Sequence, residues 1–379
     1  MPLKSTKRKV KSASSAAPWV AETQLVGLTL QLQPLQDSTL YPQYAIGLHA
    51  WFLDQVRQLD PDLSAYLHDG ESEKPFTLSA LQGVTIAPGG TPKVSAQQIY
   101  TWTITALSQP VVAWLATWLK SPPEIVDLRG APLKILDWGL KDPQPIHPAT
   151  TYQQLLEIPV PASPTLALSF LSPTSFRQRG HHFPLPVPVN LFHSYLRRWN
   201  NFAEIEYDQD DFLDWVEASV IISRHHLQSV KTVAGKKGSV TGFTGAIELG
   251  LTRSALTEPE YVQLFWALGQ IAPYCGTGHK TTFGLGQTRL GWSAAPTVAP
   301  LPSIQNLLAQ RIAELTEVFT AQRQRIGGER AINIAETWAT ILARREMGES
   351  LQDIAADLEM RYETVKTYVK LARRALQTE

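Results

Sequence analysis

The run GTGHKTTFGLGQTRLGW, Gly276–Trp292, sets Gly276, Gly278, Gly284, Gly286 and Gly291 among threonines, Lys280, Arg289 and His279. Glycine at that density lets the backbone take positive φ and lets a bulky anion approach the main chain closely. Exposed amides beside a lysine make a cradle for phosphate oxygens. The G-x-x-x-x-G-K-[ST] pattern of a nucleotide-triphosphate loop does not occur. A glycine-rich turn that opens into a strand, TTFGLGQTRLGW, suits a surface laid against a polymer backbone.

Upstream of the run, Glu258–Tyr274 reads as a helix. Ser239–Leu251 and Phe212–Val230 alternate as strands joined by the turn AGKKG at Ala234–Gly238. Leu191–Phe202 reads as a helix and Thr165–Leu171 as a strand. The same rhythm stands earlier in the chain. TQLVGLTLQLQP, Thr23–Pro34, alternates, and Pro42–Leu59 carries Ile46, Leu48, Phe52, Val56 and Leu59 at helical spacing. Strands over Phe76–Leu81 and Ile99–Leu107 follow, then a helix over Pro110–Lys120 and a strand pair within Ile125–Leu140. Strand, helix, two strands, helix, strand is the ferredoxin-like order. The chain is therefore expected to be α+β, with tandem ferredoxin-like (RRM-like) domains over 21–145 and 160–292. The Pro-rich stretch Asp142–Pro164 separates them.

SAAPTVAPLPS, 293–303, reads as a linker to an all-α segment over 304–379. There SLQDIAADLEMRYETVKTYVKLARRAL places two helices around a turn near Met360–Arg361. This fits a helix-turn-helix, whose second helix reads the DNA major groove. The segment carries 11 Lys/Arg against 11 Asp/Glu, so a helical hairpin for self-association or partner docking stays open.

With 379 residues, 44% hydrophobic and 11 tryptophans, the chain is globular and long enough for two or three cores. Its net charge of zero means that any basic surface is local. The single cysteine, Cys275, excludes an internal disulfide and a multi-cysteine metal site. Residues 1–20 open with five bases and no acid before Pro18 and read as a flexible basic arm. The apolar run Val111–Leu119 is too short to span a membrane. A soluble, cytoplasmic protein is expected, with no membrane partner and no cofactor.

Nine histidines supply the pool for proton transfer near neutral pH. His181–His182 and His225–His226 are adjacent pairs, and neighbours on a strand point to opposite faces, so no metal site is expected. His68 ends an apolar turn before a charged loop, with Asp69 and Lys74 near in sequence to tune it. His49 lies one helix earlier, near Tyr44.

Three places make the chain resemble a CRISPR-associated endoribonuclease of the RAMP superfamily. The run Gly276–Trp292 resembles that family's glycine-rich signature. YLHDGESEKPFTLS is similar to its histidine, loop and F-T-x-S strand. FLSPTSFRQRG with PLPVPVNLFHSYLRRWNNF resembles the opening strand and helix of its second unit. The likeness spans Thr23 to Trp292 and leaves the tail uncovered.

The resemblance implies that His68 is the catalytic histidine. The family often adds an aromatic hydroxyl from the preceding helix and a nearby lysine. Here that helix offers His49 and Trp51, with Tyr44 a turn upstream, so the second catalytic group stays open between His49 and Tyr44. The implied reaction needs no metal: the ribose 2′-hydroxyl attacks the adjacent phosphate, leaving a 2′,3′-cyclic phosphate and a 5′-hydroxyl. The implied partner is CRISPR repeat RNA, the precursor crRNA. RNA would be gripped by Arg177, Arg179, Arg197 and Arg198, by Lys231, Lys236 and Lys237, and by Gly276, Gly278, His279, Lys280, Thr281, Gly284 and Gly286. Trp199 in the amphipathic LRRWNNF reads as core. Two alternatives keep part of this: a non-cleaving subunit that holds guide RNA among other effector subunits, and a DNA-binding regulator acting through the terminal helices.

Overall fold

The computed structural model describes residues 18–68, 73–84, 91–140, 149–178, 181–233, 239–293, 304–321 and 329–376. The first unit runs β1 (Leu25–Pro34), β2 (Ser38–Thr39), α1 (Tyr44–Leu59), α2 (Pro61–His68), β3 (Phe76–Leu78) and β4 (Lys93–Val94). It continues with β5 (Tyr100–Ala106), α3 (Gln109–Trp118), β6 (Ile125–Asp127) and β7 (Pro132–Leu140). The sheet order is β3-β5-β1-β7-β6, antiparallel throughout, which is the ferredoxin-like arrangement with β6 added at one edge. β1 is central because Leu28, Leu30 and Leu32 alternate into the core, where they meet Phe52 of α1, Trp102 of β5 and Trp114 of α3.

α1 forms around a stripe of Tyr44, Leu48, Phe52 and Val56, spaced one turn apart and buried. Burying such a side chain is worth roughly 1.5–3 kcal/mol, which outweighs the roughly 1 kcal/mol that Gly47 costs inside a helix. Gly47 has its own packing reason, since a Cβ there would meet the hydroxyl of Tyr41.

The stretch between the units is more ordered than a separator would be. β8 (Ala149–Thr150) pairs with the start of β1, and α4 (Tyr152–Leu156) follows a Thr151–Gln154 capping box. Tyr152 buries its ring in the second core and donates its hydroxyl to Leu107 O of the first unit at 2.7 Å.

The second unit runs β9 (Thr165–Thr174), the hairpin β10 (Phe176–Gln178) and β11 (His181–Phe183), α5 (Pro188–Phe202) and α6 (Gln209–Ser219). β12 (Val220–Val233), β13 (Ser239–Leu251), α7 (Pro259–Cys275) and β14 (Thr288–Leu290) complete it. Its order, β12-β13-β9-β14, repeats the four-strand pattern of the first unit. One expectation fails here: Phe212–Ser219 is helix, not strand. Asp208 caps α6 by accepting from Asp211 N, Asp210 and Asp211 favour its first turn, and Phe212, Trp215, Val216 and Ser219 are buried at helical spacing.

The two units are joined through main chain. Tyr274 O at the end of α7 accepts from Thr105 Oγ1 at 2.5 Å and from Thr77 Oγ1 at 3.3 Å, both in the first sheet. Gly284 N donates to Leu78 O at 3.1 Å, and Ser79 and Gly284 form a bridge. On the other side, a Cβ at Gly278 (φ 78°) would overlap the carbonyl of Ser175, and one at Gly286 (φ 66°) the carbonyl of Thr277.

The tail contains α8 (Ile304–Ala321), α9 (Glu329–Glu346), α10 (Leu351–Asp357) and α11 (Tyr362–Leu376), with a core of its own around Leu315, Phe319, Leu342, Ile354 and Val365. α8 also lies along β12 and β13. Buried Arg344 binds Glu349 and, at 2.7 Å, Asp357. Arg129, from the turn between β6 and β7, pairs with the same two acids and sits 4.3 Å above the ring of Tyr41. The helical unit is thus tied to both ferredoxin-like units.

Gly278→Ala is expected to cost at least ~1–3 kcal/mol, because it adds left-handed strain to a steric clash, and to lower the melting temperature by several degrees. Gly139→Ala in β7, where a Cβ meets nothing within 4 Å, is expected to melt like the parent chain. Equal melting of the two variants in parallel thermal scans would contradict the close-approach explanation.

Candidate functional site

The glycine-rich run does not form an open amide cradle. Gly276, Gly278, Gly284 and Gly286 are buried. Their amides and those of Thr277 and His279 are committed to Ala272 O, Ser194 Oγ, Leu78 O, Pro173 O, Gly286 O and Ser175 O. The physical reason is the joint: this chain threads between two units, so its polar groups must be satisfied by protein. The hydroxyl of Thr277 bridges Tyr195 Oη and Thr288 Oγ1, each at 2.7 Å.

Arg198 belongs to the same joint. It is 4% exposed and donates to Ser194 O at 3.0 Å, Ser194 Oγ at 2.7 Å and Gly278 O at 2.8 Å, with Thr281 Oγ1 at 3.4 Å. Its guanidinium therefore holds the loop and is not offered to a ligand. Arg197, next to it, is 43% exposed at its side chain and pairs with Glu73 at 3.0 Å. Trp199 is core, fully buried, as the amphipathic pattern requires.

Where the run emerges from the joint it becomes polar. His279 donates from both its amide and Nδ1 to Ser175 O, at 3.1 and 2.9 Å. Because a carbonyl only accepts, Nδ1 carries the proton and Nε2 is the unprotonated nitrogen. The ring stacks on His182 of β11, centroids 4.9 Å apart. Arg177 lies opposite His182 in the hairpin. Burial, and after it the positive charges of Lys280 and Arg177, depresses His182. Burial likewise pushes His279 down to about 4, helped by His182, Lys280 and Arg177. Lys280 is held below the usual lysine range by burial and Arg177, while Glu336 of α9 opposes that shift. Arg177, His182, His279 and Lys280 thus form one basic cluster. Strand alternation separates His182 from its neighbour His181 and turns it toward the run, a placement that the adjacent pair in the sequence does not reveal.

On the first unit, His49 projects from α1 toward the same segment. Its ring stacks on Phe283 at 4.4 Å and reaches Phe76 at 6.0 Å. It is half-buried and sits where α1 meets the short turn Thr281–Phe283. Trp51 points elsewhere, edge-on to Trp102 and Trp118 in the core. Tyr44 is 5% exposed, its phenol is raised by burial, and its hydroxyl is bonded to the Leu81 backbone. That burial keeps it from a bound substrate. His68 is the exposed last residue of α2, and among the described residues it makes no hydrogen bond, ion pair or ring contact. Lys231 is exposed on β12. Asp69, Arg179, Lys236 and Lys237 lie outside the described residues.

Two family models match, covering most of both units. Residues 26–156 match the CRISPR Cas6 N-terminal domain, and residues 168–288 match CRISPR-associated endoribonuclease Cas6. The chain belongs to the Cas6 family. Solved Cas6 structures agree in fold. One Cas6 product complex is 26% identical, covers 70% of this chain and 99% of its own, and superposes with a TM-score of 0.56. A second, from Thermus thermophilus, is 25% identical over 70% and 100% of the two chains, with a TM-score of 0.58. A Cas6 substrate-mimic complex is 25% identical over 70% and 99%, with a TM-score of 0.54. No curated relative matches the chain. Both family matches end before the helical tail, and no described helix is long and apolar enough to cross a membrane.

The depressed His279 carries a stability consequence. Between pH 6.5 and about 4 the unfolded chain binds a proton that the folded chain excludes, so stability falls as pH drops through that window and is insensitive to this group above it. The loss is on the order of 3 kcal/mol. His279→Asn, whose amide can still donate to Ser175 O, is expected to flatten the fall in melting temperature between neutral pH and pH near 4.5. An unchanged pH profile in that variant would contradict the assignment.

Proposed function

We propose that this chain binds CRISPR repeat RNA and cleaves it by metal-independent transesterification, with His49 as the principal acid–base group. The observation that carries this is the stacking of His49 on Phe283, which brings a proton-transfer group of the first unit against the glycine-rich run of the second. Cas6 relatives captured with product and with a substrate mimic support the reading that the shared fold holds RNA. Arg177 and Lys280 supply positive charge on the far side of the run, where neutral His279 holds the loop to Ser175 O, with Lys231 and Arg197 as outlying phosphate contacts.

In this scheme the 2′-oxygen loses its proton to a base and attacks the neighbouring phosphorus. The bond to the 5′-oxygen breaks, and that oxygen takes a proton as it leaves. The products are a 2′,3′-cyclic phosphate and a 5′-hydroxyl. Histidine suits either proton transfer near neutral pH, and a nearby cation offsets charge gathering on the phosphorane. Holding the 2′-oxygen in line with the leaving oxygen contributes as much as the histidine does, so a fixed joint between the units serves the rate directly. His68, exposed at the end of α2, is assigned to RNA contact, and Tyr44 to the core.

Single-turnover cleavage of a repeat transcript tests the assignment. His49→Ala is expected to slow the chemical step by roughly 10²–10⁴ while leaving RNA affinity near that of the parent. His68→Ala is expected to slow it less than tenfold. The opposite order would move the chemistry to His68, and normal rates in both variants would remove both residues from it. Binding of the repeat with no cleavage by the parent chain would leave a guide-holding subunit instead.

A further inference from the structure

The helical tail lies outside the family match, and its last helix presents an exposed basic face. α10 and α11 meet at a tight turn: Glu359 takes a left-handed φ of 53°, and Met360 N donates to Ala355 O at 2.9 Å. Ser350 caps α10 by accepting from Asp353 N at 3.1 Å. α11 buries Val365, Val369 and Ala372, spaced four and three residues apart, against α9 and α10. Its opposite face therefore carries Glu363, Thr367 and Lys370, flanked by Lys366 and Arg373.

Charge in this unit is segregated by the fold. Lys/Arg and Asp/Glu are equal in number from residue 304 onward. Yet Glu349 and Asp357 are turned inward, with side chains 3% and 11% exposed, onto Arg344 and Arg129. From Arg361 to Leu376 there are five bases, all exposed, and one acid, Glu363, which lies 3.7 Å from Lys366 in a surface pair of little strength. Two acids, Glu349 and Asp357, are thus withdrawn, Asp353 and Glu359 stay exposed around α10, and the exposed bases gather on α11.

We propose that the tail binds duplex DNA, with α11 in the major groove and α10 crossing the backbone beside it. An α-helix with its side chains is about 10–12 Å across, and the major groove of B-DNA is about 12 Å wide. The major groove of A-form RNA is too narrow and deep to admit a helix, so the same basic face selects DNA over the RNA bound elsewhere on the chain. The two-helix frame fits this docking. α11 packs on α9 and α10 within the tail, which leaves its outer face clear of the ferredoxin-like units.

The test uses the full chain and two probes of the same random sequence, a short DNA duplex and a short RNA duplex, in anisotropy titrations across a salt series. The parent is expected to bind the DNA duplex. The double variant Lys366→Glu, Lys370→Glu is expected to bind it roughly tenfold or more weaker, with the log–log salt dependence shallower by roughly one for each phosphate that is no longer neutralised. Cleavage of repeat RNA and the melting temperature are expected to stay unchanged. The proposal is overturned if the variant binds DNA as the parent does. It is also overturned if the charge reversals weaken RNA and not DNA binding, or if they alter only the oligomeric state.

Discussion

The carbonyl of Ser175 accepts two hydrogen bonds from one residue, the amide and the ring of His279, at a point where Gly278 has no Cβ to hold the strands apart. A few residues on, Gly284 donates to Leu78 in the other unit. Two ferredoxin-like units could pack in many ways through apolar faces alone, because hydrophobic contact is not directional. Main-chain hydrogen bonds are directional, and here they fix one register. Buried Arg198 ties the same loop to α5 through Ser194 and Gly278. An uncompensated buried charge is costly, so the loop and the guanidinium depend on each other.

That fixed register is what gives His49 a partner. α1 belongs to the first unit and Phe283 to the run of the second, and the rings of His49 and Phe283 meet beside the point where Gly284 ties that run to Leu78. On the far side of the run, His279 and His182 stack within the field of Lys280 and Arg177, and burial keeps His279 neutral. α9 adds Glu336 to the surroundings of Lys280, and Arg129 anchors the tail beside Tyr41 at the foot of α1. The tail is therefore a neighbour of the site as well as a separate unit.

The tandem fold is legible in the sequence because alternation and helical spacing repeat in the same order twice, and the strand orders agree. α6 is hidden because Phe212–Ser219 runs straight into the β-branched start of β12; the acids at Asp208, Asp210 and Asp211 are the helix signal. Helix phase alone separates Arg198 from Arg197. Leu191, Tyr195, Arg198 and Trp199 share one stripe, and that stripe is buried. Tyr44 likewise falls on the stripe with Leu48 and Phe52, whereas His49 stands one step off it. The glycines do mark positions of positive φ and close approach, but what approaches them is protein main chain. No local pattern tells a ligand's oxygen from a carbonyl of the next domain. The contact of His49 with Phe283 is likewise out of reach of the sequence, since it joins residues from different units and depends on tertiary packing.

Histidine-driven transesterification at this joint has one direct test, which is to incubate the purified chain with a repeat transcript in EDTA and map both ends at the cut. A 2′,3′-cyclic phosphate and a 5′-hydroxyl, with cleavage abolished by a single 2′-deoxy substitution at the scissile nucleotide, is the predicted result. Cleavage that requires a divalent cation, that leaves a 5′-phosphate, or that survives the 2′-deoxy substitution would contradict it.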